Sequence, residues 1–240
     1  GQQAEPEIAA PADPVMPHLG CEVVASATNA AMANVRLSVE APCNRNERVT
    51  IHHTGMMFTR TTDSDGRLTA TVPALSETAI FVVEFDNGKG AVATAEVPSL
   101  ADYDRVVLQW TGNGGFQMHA REFGAEYGSQ GPVWSGSGRA SARGAVVTRL
   151  GDANTLSPSL AEIYTFPVAN APQSGTINLT IEAEVTQRNC GRDIAAQSIE
   201  MRQDRSLRTQ DLVLSMPGCS AVGDFLVLNN LVDDLKIAAR

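Results

Sequence analysis

The feature that most constrains the fold is a succession of short, β-branched runs separated by glycine-containing turns between Cys43 and Val97. Runs rich in Val, Ile, Thr and Phe alternate with the turns Thr54-Gly55, Asp63-Ser64-Asp65-Gly66 and Asp86-Asn87-Gly88. From Arg67 to Pro73 apolar and polar residues alternate, which is the two-residue period of a half-buried strand. The stretch therefore predicts an antiparallel β meander.

The four cysteines predict two disulfides that each close a hairpin. If Cys21 pairs with Cys43, the register separates an apolar face from a polar face, as a half-buried hairpin requires. The same construction for Cys190 and Cys219 centres the turn on Asp204-Arg205. The apolar faces are Val23, Ala25, Ala27, Leu37, Val39 and Ala41 for the first hairpin, and Ile199, Met201, Leu212, Leu214 and Met216 for the second.

Two such disulfides indicate an oxidising compartment, so we expect a periplasmic or extracellular protein. The alternative is four buried free thiols in a cytosolic protein. The N-terminus, GQQAEPEIAAPADPVMP, is typical of the segment that follows a removed signal peptide. No apolar run approaches the roughly 20 residues of a membrane span. Eighteen basic and 27 acidic residues give a net charge of −9, which argues against nucleic acid as a partner.

Composition divides the chain into four regions. We expect a disordered tether over residues 1–20, a β-sandwich over 21–123, a linker or long loop rich in Gly and Ser over 124–144, and a second β domain over 145–240. Trp134 interrupts the third region, which leaves open that part of it docks on a neighbouring surface. Many short strands without intervening helices predict an all-β protein of two sandwich-like domains.

Two further patterns predict strands within the two β regions. Residues 105–110 and 116–123 are strand-like and flank the turn Thr111-Gly112-Asn113-Gly114-Gly115, which is typical of a hairpin. Residues 176–185 alternate strictly, with Ile177 and every second residue after it expected to face the core.

The candidate metal ligands are histidines and methionines, because imidazole and thioether groups suit copper. His52 and His53 are consecutive in a predicted strand, so they point to opposite faces and cannot share one ion. His53 is expected to be a core histidine. A copper site would instead need His52, Met57 and His119, which the sequence does not place together.

No catalytic constellation is recognisable in the sequence. The acidic turn at Asp63 lacks the glutamate that closes an EF-hand loop, so a turn is the better interpretation. The serines near Trp134 do not form a nucleophile elbow, and Lys89 lacks the context of a phosphate-binding loop. The carboxylates that could form an acid–base pair, expected to be solvated surface, are Glu122, Glu126, Asp233 and Asp234.

Residues 48–73 contain an acidic glycine turn, an alternating strand and the exit residue Pro73. This pattern is similar to that of transthyretin-like (carboxypeptidase regulatory-like) β-sandwich modules, over residues 21–97. The resemblance implies a transthyretin-like (prealbumin-like) first domain and an accessory role as a stalk, spacer or binding domain. It brings no catalytic residues.

Three passages resemble a group of uncharacterised secreted bacterial proteins that carry the label "translocase". They are CNRNERVTIHHTGMMFTRTTDSDG, YTFPV and CSAVGDFLVLNNLVDDLKIA. The resemblance implies secretion and gives no site.

We therefore expect a non-catalytic binding or envelope-assembly module without a cofactor. Its partner would be a protein or glycan of the cell envelope. The first alternative is a hydrolase with its site between the domains, near residues 122–134. A concave pocket with clustered acids, or a His–acid pair, would favour that alternative. The second alternative is a copper-handling protein.

Overall fold

The computed structural model describes residues 20–124, 131–169, 171, 173–201 and 204–240. The expected tether over residues 1–20 lies outside these ranges except for Gly20. Within the described residues the chain forms sixteen β-strands and three short 3-10 helices. The all-β class expected from the sequence is confirmed. No helix in the described part of the chain is long and apolar enough to cross a bilayer.

The first seven strands build two antiparallel sheets around one hydrophobic core. They are β1 (Val24–Ala30), β2 (Asn34–Glu40), β3 (Arg48–His53), β4 (Met56–Thr61), β5 (Arg67–Pro73), β6 (Thr78–Phe85) and β7 (Gly90–Glu96). Sheet 1 has the order β1-β2-β5, and sheet 2 has the order β4-β3-β6-β7. Inward side chains of both sheets, with Phe58, Phe81 and Phe85 among the largest, form the first core.

The first disulfide hairpin has the register expected from the sequence. Cys21 and Cys43 are joined by a disulfide, and Ala27 lies opposite Leu37 in the β1–β2 ladder. Leu37 is buried in the first core, whereas Glu40 is exposed. The apolar face of this hairpin therefore packs inward, because one face of an antiparallel sheet is covered and the other is solvated.

The expected meander is interrupted after β4. β3 pairs with β4 and β6, whereas β5 crosses to sheet 1 and pairs with β2. The turn at Asp63 therefore joins two sheets. The Asp63 carboxylate accepts hydrogen bonds from the N–H groups of Arg67 (2.8 Å) and Asp65 (2.9 Å), which lower its pKa. Gly66 has a φ of 76°, and a Cβ there would lie 2.0 Å from the carbonyl oxygen of Ala41. Local chemistry specifies this turn, but not the sheet that follows it.

The last nine strands build two more antiparallel sheets. They are β8 (Tyr103–Thr111), β9 (Phe116–Glu122), β10 (Val146–Leu150), β11 (Ser159–Pro167), β12 (Gly175–Glu184), β13 (Asp193–Met201), β14 (Leu207–Ser215), β15 (Phe225–Asn229) and β16 (Leu235–Ile237). Sheet 3 has the order β10-β11-β8-β13-β14. In sheet 4, β12 pairs with β9, β15 and β16. The residues of β12 that were expected to face inward are buried in a second core: Ile177, Leu179, Ile181 and Ala183.

The hairpin expected at residues 111–115 is wrong, because β8 and β9 lie in different sheets. β8 pairs with β11 and β13 in sheet 3, and β9 pairs with β12 in sheet 4. The first pair of sheets therefore ends with β7, and residues 103–122 of the region expected over 21–123 join the C-terminal strands. The Gly/Ser-rich region over 124–144 follows β9, so it does not connect the two pairs of sheets. The residues of a turn do not determine which distant strands the two flanking strands pair with.

The second disulfide hairpin is one residue away from the expected register. Cys190 and Cys219 are joined, but the β13–β14 ladder pairs Ile199 with Thr209. Because side chains alternate with a period of two, this shift places Ile199 and Leu212 on opposite faces. β13 contributes to both cores, so its apolar pattern does not distinguish the two registers. Ile199 and Met201 belong to the first core, and Leu212 and Met216 belong to the second.

Sheet 3 also contacts the edge of sheet 2 through polar groups. Gln109 on β8 accepts a hydrogen bond from the Met57 N–H (2.9 Å) and donates to the Gly55 carbonyl (2.8 Å). The Asp152 N–H donates to the carbonyl of Thr59 (2.8 Å). These bonds satisfy backbone groups at the β4 edge, which sheet 3 would otherwise leave without partners.

Arg105 on β8 joins sheet 3 to sheet 1 by a buried guanidinium group. It has no exposed surface, and burial lowers its pKa to about 10. Its Nη1 atom donates to the carbonyl oxygens of Ala33 (2.8 Å) and Ala74 (2.6 Å), and its Nη2 donates to the carbonyl of Met32. These acceptors are neutral oxygens, so a buried positive charge is held by carbonyl dipoles.

The acceptors of Arg105 belong to a turn that is intrinsically unfavourable. Met32 and Ala33 have φ values of 61° and 53°, in the left-handed region that side chains other than glycine rarely adopt. This conformation directs both of their carbonyl groups at the same guanidinium. Arg105 therefore compensates for the strain of the β1–β2 turn.

Replacing Arg105 with methionine is expected to lower the free energy of unfolding by at least about 3 kcal/mol, because several buried carbonyl groups lose their donor at about 1–3 kcal/mol each. Urea unfolding of the oxidised protein measures this change. Replacing Arg36, an exposed arginine on β2, with methionine is the matched control and should change the free energy by no more than about 0.5 kcal/mol. Equal effects of the two substitutions would contradict the role given to Arg105.

His53 is buried in the first core, with 1% of its surface exposed. Its Nε2 accepts the N–H of Leu75 (2.9 Å), so Nδ1 carries the proton and donates to the carbonyl of Ile80 (2.9 Å). The ring stacks on Phe81 at 4.4 Å between centroids. Burial lowers the pKa of His53 from 6.5, and the charge of Arg105 lowers it further. The imidazole is therefore a neutral structural group.

The lowered pKa of His53 makes stability depend on pH. In the unfolded chain the His53 imidazole is protonated near pH 6.5, whereas in the folded chain it is protonated only at a lower pH. The free energy of unfolding should therefore decrease as the pH falls below 6.5. Replacing His53 with glutamine should flatten this part of the profile, with roughly 1.4 kcal/mol of difference for each unit of pKa depression. Urea unfolding between pH 7.5 and pH 5 tests it, and parallel profiles for the two proteins would refute it.

Candidate functional site

Residues 131–143, here called the strap, fold over the edge of β9 that faces away from β12. Val133 is buried and exchanges backbone hydrogen bonds with Ala120 of 2.8 and 2.9 Å. This part of the Gly/Ser-rich region is therefore a docked loop. Residues 125–130 lie outside the described part of the chain. By crossing the edge, the strap contributes to both faces of sheet 4.

On the outer face the strap places Trp134 over His119 of β9. The two rings stack, with centroids 5.2 Å apart and planes 14° apart. His119 Nε2 lies 2.8 Å from Glu182 Oε2, and each of these side chains is 12% exposed. The backbone N–H and the hydroxyl of Ser137 donate to the Trp134 carbonyl at 3.0 and 2.8 Å. The arrangement is a His–acid pair covered by an indole ring.

On the inner face, Glu122 points between sheets 3 and 4. The hydroxyl of Tyr164 on β11 donates to Glu122 Oε1 at 2.8 Å, and Arg143 Nη1 lies 4.0 Å from Oε2. Burial raises the pKa of Tyr164, and the Glu122 carboxylate raises it further, so the phenol remains a donor. The Arg143 guanidinium lies over the ring of Phe123, with Cζ 3.9 Å from the centroid. Three side chains from separate elements therefore converge here.

Glu122 and the strap enclose a cavity of about 420 Å³. We call it the strap cavity. A second cavity of about 390 Å³ shares Ala142 and Arg143 with it and is lined on its far side by Tyr103, Phe166 and Pro167. Volumes of this size are within the range of small-molecule sites, which combine apolar walls with a few oriented polar groups.

The strap cavity corrects the expectation that the four singled-out carboxylates are solvated. Glu122 is 6% exposed and forms part of the cavity wall. Asp233 pairs with Arg208 at the surface (2.6 Å), and Asp234 accepts a hydrogen bond from Asn178 (2.7 Å). Glu126 lies outside the described residues.

The sequence contains a signal that would have placed Glu122 correctly. Phe116, Met118 and Ala120 alternate with polar residues, and Glu122 continues their buried face. Nothing comparable marks Tyr164 or Arg143, because their roles arise from packing between distant strands.

The copper candidates lie in different sheets. His52 and Met57 are opposite each other in the β3–β4 ladder of sheet 2, whereas His119 belongs to β9 of sheet 4. His52 Nε2 lies 3.4 Å from Glu84 Oε2. In the described ranges, no group of three or more His, Cys, Asp or Glu side chains is placed to hold a metal ion.

Comparison of the chain with models of known protein families and with curated protein sequences found no match.

Replacing Gly136 with alanine is expected to displace Trp134 from His119, because a Cβ at this position would lie 2.1 Å from the indole ring. Trp110 is 4% exposed, so acrylamide quenching of tryptophan fluorescence reports mainly on Trp134. Quenching should increase in the Gly136→Ala variant. Gly218→Ala is the matched control, since a Cβ there meets nothing within 4 Å. Unchanged quenching in both variants would contradict the stacking of Trp134 on His119.

Proposed function

We propose that the protein is a non-catalytic binding module of the periplasm or the cell exterior, and that it holds a small molecule in the strap cavity. The observation that carries this proposal is the cavity itself, with Glu122 held by Tyr164 and faced by Arg143. The two disulfides support an oxidising compartment, because such bonds persist where thiols are not kept reduced.

The polar groups of the strap cavity favour binding over catalysis. Glycoside hydrolysis needs two carboxyl groups facing one bond, and Glu122 is the single acidic residue among the described residues that line this cavity. Its carboxylate is already engaged by a phenol and faced by a guanidinium. A carboxylate held in this way positions the groups around it.

We further propose that the chain consists of two sandwich-like units that meet near residues 98–102, the first of them transthyretin-like. Two hydrophobic cores support this division, the first enclosed by sheets 1 and 2 together with one face of sheet 3, and the second between sheets 3 and 4. An accessory unit joined to a ligand-binding unit is consistent with a role in the cell envelope. The module would then bind a protein or glycan of the cell envelope as its larger partner.

A hydrolase is the second candidate function, and one observation favours it. His119 and Glu182 form a close pair, and a carboxylate orients an imidazole for general base catalysis. Under this proposal Trp134 would cover the reacting group. Replacement of His119 with asparagine should then abolish hydrolysis of an ester or glycoside substrate, whereas binding in the strap cavity should persist.

A thermal-shift screen of the full oxidised chain tests the binding proposal. Sugars, peptidoglycan fragments, small organic acids and metal ions are the probes. A ligand at one hundred times its dissociation constant stabilises the folded state by about 2.7 kcal/mol, which is a readable shift. We expect at least one small organic probe to raise the melting temperature saturably.

Two variants assign such a shift to the strap cavity. Ala142 lines both cavities, so Ala142→Phe should abolish the response by filling the shared space. Ala153→Phe, in an exposed turn, should leave it unchanged. A response that survives Ala142→Phe, or no response to any organic probe, would refute ligand binding in this cavity.

A further inference from the structure

We infer that the free edge of β7 is an interface at which two copies of this chain pair antiparallel, so that sheet 2 continues from one copy into the other. This edge is remote in sequence from the strap cavity, and its pairing does not depend on ligand binding there. Backbone geometry, the lack of edge protection and the self-complementary sequence of β7 support the assignment.

The backbone of β7 presents unpaired hydrogen-bonding groups along one edge. In the described part of the chain, β7 forms a ladder with β6 alone. At one end of that ladder the Phe85 N–H donates to the carbonyl of Lys89 (2.8 Å), and at the other end the Val97 N–H donates to the carbonyl of Glu77 (2.7 Å). The odd-numbered pairs are therefore the hydrogen-bonded ones. Because bonded and non-bonded pairs alternate in an antiparallel ladder, the even-numbered residues of β7 direct their N–H and C=O groups away from β6.

The β7 edge lacks the features that normally protect the edge of a sheet. Proteins blunt such edges with lysine, proline or a covering segment, because unpaired backbone groups otherwise promote association. The sequence of β7 is Gly-Ala-Val-Ala-Thr-Ala-Glu, and its one charged residue, Glu96, lies at the end of the strand. By contrast, sheet 3 bonds the β4 edge, the strap covers the β9 edge, and β14 contains the charged residues Arg208 and Asp211.

A second copy of the chain fits this side of the molecule because two sheet edges are present together. β1 is the edge strand of sheet 1 and lies against β7. Its sequence, Val-Ala-Ser-Ala-Thr-Asn-Ala, is uncharged and consists mostly of small residues. A single added strand would cover one of the two edges. A two-fold axis perpendicular to the sheets instead brings both edges of one copy against the same edges of the other, as an isologous interface requires.

The sequence of β7 is self-complementary about its central residue, Ala93. Antiparallel pairing centred there places Val92 opposite Thr94 of the second copy, and these even-numbered residues can exchange backbone hydrogen bonds. Ala93 meets Ala93 of the second copy at a closely spaced position, which suits a small side chain. Val92 is 61% exposed and lies beside the exposed Val82 of β6. Pairing therefore brings β-branched side chains of both copies together on the outer face, where such cross-strand pairs are stabilising.

Charge does not oppose this register. Glu96, the single charged residue of β1 and β7, lies opposite Gly90 of the second copy. The two Glu96 side chains are then separated by six residues, or about 20 Å at about 3.4 Å per residue. That distance exceeds the screening length of about 8 Å at physiological ionic strength. One pair of strands is a small interface, so we expect a reversible dimer with a micromolar dissociation constant.

Sedimentation equilibrium of the full oxidised chain between about 1 and 100 µM tests the inference, since this range spans micromolar dissociation constants. We expect a monomer–dimer equilibrium. Thr94→Pro removes an outward N–H without removing a bond of the β6–β7 ladder, because proline is tolerated where the N–H of an edge strand faces solvent. It should weaken dimerisation at least tenfold. Thr94→Val retains the N–H and the β-branched shape, so it should dimerise as the natural protein does.

A second pair of variants tests the edge through charge. Val92→Lys introduces the residue that natural edges use for protection and should weaken dimerisation at least tenfold. Thr71→Lys, at an exposed position of β5 on the far edge of sheet 1, should leave it unchanged. Hydrogen exchange of the backbone amides of Val92 and Thr94 should slow as the protein concentration rises.

Two results would overturn the inference. One is a chain that remains monomeric over the whole concentration range. The other is a dimer whose dissociation constant is unchanged by both Thr94→Pro and Val92→Lys, because such a dimer would form through another surface. Should Thr94→Pro fail to fold by circular dichroism, Val92→Lys and the exchange of the two amides still decide.

Discussion

The structure depends on one constraint, which is that the central strands β8 and β11 of sheet 3 are covered on both faces. Val107, Ile163 and Ile199 contribute to the first core, whereas Leu108 and Tyr164 contribute to the second. A sheet buried on both sides has no polar face, so its strands are nearly continuous in burial, as β11 shows. A polar group buried in these strands is costly unless it has a partner inside the protein. Trp110 Nε1 and Ser198 Oγ are buried in this sheet without a hydrogen-bond partner in the described part of the chain.

The buried charges of sheet 3 accordingly act as links to the other sheets. Arg105 bonds carbonyl groups beside sheet 1. Glu162, which has no exposed surface, accepts the N–H of Met118 on β9 at 2.7 Å and lies 3.4 Å from Arg149. Tyr164 donates to Glu122 on the same strand of sheet 4. Each link gives a partner to a polar group that would otherwise be buried without one. Each also fixes the position of one sheet against another.

The candidate site follows from this arrangement. Tyr164 fixes the Glu122 carboxylate between sheets 3 and 4, and the strap closes over it because the edge of β9 offers backbone groups to Val133. Arg143 is thereby held at the boundary of two cavities. The cavity is therefore lined by strand residues on one side and by a loop on the other, which is a common position for functional residues in proteins.

The local features of the fold can be predicted from the sequence: the all-β class, the turns at Thr54-Gly55 and Asp63–Gly66, the first hairpin register and the buried position of His53. These depend on alternation and turn chemistry, which act over a few residues. Tertiary structure alone decided that β5, β8 and β9 change sheets, that the second hairpin shifts by one residue, and that Tyr164 meets Glu122. Strand pairing between distant segments depends on which apolar faces complete each other, and a strand buried on both faces carries no pattern that specifies the choice.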